Sequence, residues 1–116
     1  MAVLHDIEES LNHKEPTAPP SWTNAHLALL NEHIVLHSGE GILQGAWHSQ
    51  DSDEILLVLS GRCTVETTEG ALTAESGQLI HIAAHEPHRV STTDHTVLVA
   101  IESAAALRTP LSGPAS

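Results

Sequence analysis

The 116 residues carry four Lys and Arg against fifteen Asp and Glu, a formal net charge of −11 that repels phosphate backbones and anionic lipid, so neither nucleic acid nor membrane is an expected partner. The length suits one domain with one core, and without Phe or Tyr that core must come from Leu, Ile, Val and Ala, with Trp22 and Trp47 adding bulk, so any internal pocket is aliphatic. The lone Cys63 forms no internal disulfide, and no apolar run reaches the roughly 18 residues of a membrane span or follows a basic start, so a soluble, reduced, cytoplasmic protein is expected.

Leu4, Ile7 and Leu11 recur at helical spacing among Asp6, Glu8 and Glu9, which predicts a short amphipathic helix. Pro16, Pro19 and Pro20 end it, so residues 1–21 are a helix and a Pro-rich connection, and the globular body starts at Trp22. Strands are predicted at 26–30 and 33–37, a turn at Ser38–Gly41, then strands at 42–48 and 54–60, the last apolar on both faces. A hairpin at 62–67 and 71–74 flanks Thr68-Glu69-Gly70, Glu75-Ser76-Gly77 turns again, and strands at 78–82 and 95–101 complete the set. Short strands with frequent turns indicate an all-β sandwich or barrel over residues 22–107, and residues 108–116 read as a flexible tail.

The segment Trp47–Gly61 places donor side chains just before a buried strand. Side chains alternate faces, so His48, Gln50 and Glu54 share one side if Asp51-Ser52-Asp53 preserves parity, and Leu56 and Val58 continue that face inward. Ile55, Leu57 and Leu59 on the other face are also apolar, which suggests cover by a second layer or by a partner subunit in a homodimer.

His48-x-Gln50-x-x-x-Glu54, six residues and Gly61 resemble the first motif of the cupin superfamily, His-x-His, three or four residues, Glu, six residues, Gly. Gly77, the strand to Ile82, the turn at Ala83–His85, and His88 resemble the second motif. The likeness covers roughly residues 22–107 and is strongest to small single-domain type-2 cupins, often labelled mannose-6-phosphate-isomerase-like. It implies a double-stranded β-helix, or jelly-roll barrel, holding one divalent metal. Carried over by position, the ligands are His48, Glu54 and His88, with Gln50 standing where the family has a second histidine. Two histidines and a carboxylate suit Fe, Mn, Ni, Co or Zn.

Gln50 leaves three readings open: a weak fourth ligand, a hydrogen bonder that orients the substrate beside a three-residue site, or the mark of a cupin without metal. His85 stands where the family turn has glycine, either as a strained rim residue or as a catalytic acid–base group or substitute ligand. His33 and His37 share a strand face that could line the barrel, His81 faces away from the aliphatic interior or lines the pocket wall, Trp47 packs outside, and Cys63 is a small buried residue. Of the two cations near the motifs, Arg62 and Arg89, the latter is the better candidate for an anionic substrate group. The expected function is action on a small molecule as a metal-dependent oxygenase, isomerase or lyase, with a non-catalytic binding or sensor cupin as the alternative.

Overall fold

The computed structural model describes residues 1–12 and 14–113. It holds a five-residue helix, α1 (Ile7–Leu11), followed by ten strands: β1 (Pro20–Leu30), β2 (Ile34–Leu43), β3 (His48–Gln50), β4 (Glu54–Ser60), β5 (Arg62–Thr67), β6 (Gly70–Glu75), β7 (Leu79–Ile82), β8 (His88–Ser91), β9 (Thr96–Ser103) and β10 (Arg108–Pro110). They form two five-stranded antiparallel sheets, ordered β1-β2-β9-β4-β7 and β10-β3-β8-β5-β6, the two walls of a jelly-roll barrel. Among the described residues no helix is long and apolar enough to cross a membrane.

The two-residue alternation decides what faces inward. Leu56 and Val58 on β4, Ile80 and Ile82 on β7, Leu98 on β9, and Val65 and Cys63 on β5 close on Trp22 to make the core. The parity expected of His48, Gln50, Glu54, Leu56 and Val58 holds. On the outer side of the first sheet, the register aligns Leu79, Leu57 and Val99 in one row and Ile55, Ile101 and Leu36 in the next. α1, capped by Asp6 accepting from the Glu9 amide, covers only one end of this face, where Ser10 meets Ser38. Leu79 stays 54% exposed.

Several boundaries differ from expectation. The turn predicted at Ser38–Gly41 lies inside β2, because its glycines serve close packing: a Cβ on Gly39 would overlap the Trp22 ring, and Gly41 sits at φ 118 against the Ser21 carbonyl. The reversal comes earlier, where Asn31 and Glu32 adopt φ 51 and 62. The strand predicted at 42–48 is broken after Leu43, and only His48–Gln50 resumes pairing. The tail is ordered where it was expected to be loose: Arg108–Pro110 pairs with β3 in the register Arg108↔Gln50 and Pro110↔His48. Residues 114–116 of that tail lie outside the described residues.

Candidate metal and ligand pocket

Between the two sheets lies a cavity of about 660 Å³, walled by Trp22, Leu43, Leu56, Val90 and Leu98, with His37, His48, Gln50, Glu54, Glu102 and Arg108 supplying its polar and charged groups. β3 and β8 pair His48 directly with His88, bringing the two motifs together. The imidazole centroids are 4.3 Å apart with planes tilted by 55°. His88 lies behind His48 and is only 1% exposed.

Both rings are anchored alike. The Nδ1 of His48 lies 3.0 Å from the Ala46 carbonyl and that of His88 lies 2.8 Å from the Glu86 carbonyl, so each Nδ1–H donates to backbone and leaves the Nε2 lone pair free. Arg108 Nη2 also approaches His48 Nδ1, at 3.2 Å. One nitrogen cannot donate to a carbonyl and accept from a guanidinium in the same tautomer, and the shorter carbonyl bond takes the proton. The Nε2 of His88 is buried without a partner, 4.0 Å from Glu54 Oε1. Burial holds His48 down at about 4, with Arg108 and His88 adding repulsion, so its ring is neutral near pH 7.

Glu54 faces Glu102, its register partner on β9. Burial, then the Glu102 charge and a hydrogen bond between the two carboxyls, push Glu54 up to about 8, while Arg108 pulls the other way. Glu102 Oε2 also accepts from Gln50 Nε2 at 2.6 Å. Gln50 thus donates one amide hydrogen to Glu102, and its carbonyl oxygen is left without a partner among the described residues. Among the described residues no group of three or more His, Cys, Asp or Glu side chains stands placed to hold a metal ion. One donor pair, His88 Nε2 and Glu54 Oε1, stands 4.0 Å apart, and that Nε2 has no hydrogen-bond partner.

Other predicted groups fall elsewhere. His85 adopts the left-handed backbone expected, φ 69, and its amide donates to the Gln50 carbonyl at 2.7 Å, but its side chain is exposed and does not line the cavity. The structure therefore places it on the rim turn, apart from the cavity lining. His37 lines the cavity, whereas His33 sits in the exposed β1–β2 turn. His81 faces outward and bonds Asp53 at 2.7 Å. Arg89 is not the pocket cation: it grips Glu66 at 3.0 and 3.1 Å and stacks over Trp47, 5.4 Å from the ring. That place belongs to Arg108. Two pocket residues, Glu102 and Arg108, escaped the sequence reading. Glu102 was detectable, since the inward parity of Leu98 and Ala100 passes through it, whereas nothing in the Pro- and Ser-rich tail announced Arg108.

A jelly-roll barrel with imidazoles from two strands beside a buried carboxyl defines the class. The sequence matches the Cupin_2 family, described as a cupin domain, over residues 32–103, and the chain belongs to that family. A comparison with curated proteins gives no match. Solved structures share the fold. The EutQ protein of Clostridium difficile is 19% identical with a TM-score of 0.62, over 87% of this chain and 74% of that one. A cupin-2 domain protein of Shewanella frigidimarina is 20% identical with a TM-score of 0.63, over 83% and 88%. A conserved protein with a double-stranded β-helix domain from Klebsiella pneumoniae is 10% identical with a TM-score of 0.71, over 96% and 100%.

Proposed function

We propose that this cupin holds one divalent transition metal, Fe, Mn, Ni, Co or Zn, at His48, His88 and Glu54 and uses it on a small molecule admitted to the barrel. The observation that carries the reading is the buried, unpartnered Nε2 of His88, 4.0 Å from Glu54 Oε1 and beside the neutral His48 ring. When bound, the metal supplies Lewis-acid polarisation of an oxygen ligand, or oxygen activation if it is iron. The protein does the rest. The Ala46 and Glu86 carbonyls fix the tautomers of both imidazoles, and Glu102 holds the Gln50 amide so that its oxygen serves as a weak fourth donor or accepts from a substrate hydroxyl. Leu56, Leu98 and Trp22 wall the cavity and exclude water from the reacting end.

Elemental analysis of protein purified without chelator is expected to give near one transition metal per chain, and His88→Ala to lose it. Full metal content in a folded His88→Ala variant overturns the assignment. A second reading, ligand capture without turnover, is supported by one observation: His85, the expected acid–base group, does not line the cavity. Turnover of a bound small molecule by the metal-loaded protein would rule it out. The half-covered apolar rows around Leu57 and Ile101 further support a homodimer through the outer face of the first sheet.

A further inference from the structure

We propose that Arg108 anchors the carboxylate of a small, largely aliphatic organic acid in the barrel, making it the specificity residue of the pocket. The inference rests on reading the cavity as a ligand site and does not depend on which metal it holds.

The four cations divide by partner. Arg62 reaches Glu75 at 3.5 Å and Asp94 at 3.7 Å, Arg89 is held by Glu66, and Lys14 precedes the barrel. Arg108 alone lines the cavity, and among the described residues no carboxylate lies within 4.0 Å of it. Its side-chain neighbour is His48 Nδ1 at 3.2 Å, whose hydrogen is already directed at Ala46, so the contact sets donor against donor. The cavity's own carboxyls are occupied elsewhere, Glu102 with the Gln50 amide and with Glu54. A planar guanidinium whose fork has no acceptor, on the wall of a cavity, is built for an incoming oxyanion.

The surroundings select the class. Glu102 and a net charge of −11 oppose a second negative charge, so a monoanionic carboxylate is favoured over a phosphate dianion. Leu43, Leu56, Leu98 and Trp22 accept an aliphatic body. With its carboxylate on Arg108, such an acid extends toward Glu54.

The test uses matched probes, butyrate and butyramide, with inorganic phosphate as the competing oxyanion. Binding is followed by ligand-observed NMR and tryptophan fluorescence on the purified full-length protein, Arg108→Gln and Arg108→Lys, with metal content measured on the same samples. Arg108 is an exposed edge-strand residue, so both variants keep the backbone pairing of β10. Butyrate is expected to bind roughly tenfold or more tighter than butyramide, as a charge-assisted pair requires. Arg108→Gln should erase that preference at unchanged metal content and leave butyramide unaffected, while Arg108→Lys should retain part of it. Equal binding of the two probes, no saturable butyrate binding, an unaltered preference in Arg108→Gln, or stronger binding of phosphate overturns the proposal. Failure of the metal reading shows separately, as full metal content in His88→Ala.

Discussion

Replacing Glu54 by Gln isolates the cost of the buried carboxyl pair. In the folded chain Glu54 is pushed from 4.5 to about 8, first by burial and then by Glu102, and its side chain is only 13% exposed, so solvent screens little of the effect. The unfolded chain releases the same proton at its ordinary value. Between those two values the folded state therefore binds more protons than the unfolded state, and stability falls as pH rises. By pH 8 the loss is on the order of 4 kcal/mol for the pair as a unit, or on the order of 15 °C in melting temperature for a domain of this size. Gln keeps the volume, can donate to Glu102 and cannot ionise. Metal-free Glu54→Gln should match the wild type near pH 5 and melt well above it at pH 8, followed by circular dichroism in chelator. His48 works oppositely: its folded value of about 4 lies below its unfolded 6.5, so stability is lost on acidification through that window. That loss is common to both proteins and cancels in the comparison. Parallel melting curves from pH 5 to 8 would refute the linkage. Adding the metal should reverse the order at pH 8, because only the wild type offers the ion a carboxylate.

Cys63 is fully buried and its thiol is pushed up to about 12 by burial, so thiol reagents at pH 8 should leave it unmodified in the native protein and label one site per chain in denaturant; rapid native labelling would contradict the packing. Leu57→Glu places a charge in the centre of the outer apolar rows and should convert a dimer to a monomer in light-scattering chromatography while the melting temperature of the monomer stays within a few degrees, since the residue faces away from the core. A wild type that is already monomeric at high concentration removes the dimer proposal.

The barrel was legible because period-two burial is a local property. β4 is a continuous apolar run ending at Gly61, and β5 and β6 flank a glycine turn, so their bounds follow from composition. β2 was not, because its glycines are placed for a long-range reason, the Trp22 ring and the Ser21 carbonyl across the sheet, and a glycine read locally signals a turn. β8 and β10 are too short and too polar to show a period, and each is held by its neighbours rather than by its own pattern.

The same distinction explains the site. His48 and His88 were brought together by the resemblance to the two cupin motifs, and strand parity put Glu54 on the same face as His48. Glu102 becomes functional only because register sets it opposite Glu54 and within reach of Gln50, which converts an expected fourth ligand into a side chain whose donor end is already committed. Arg108 is remoter still, since its position depends on a C-terminal strand closing the sheet edge beside Gln50. Where the family has a second histidine, the chain therefore carries a neutral amide that donates to a carboxyl, with the backbone of Arg108 paired alongside. Glu102 and Arg108, opposite in charge, line the same cavity, which under the proposed function would give a metal and an acid separate places in it. Glu102 and Arg108 both lie outside the two sequence motifs, which is why the motifs alone did not reach them.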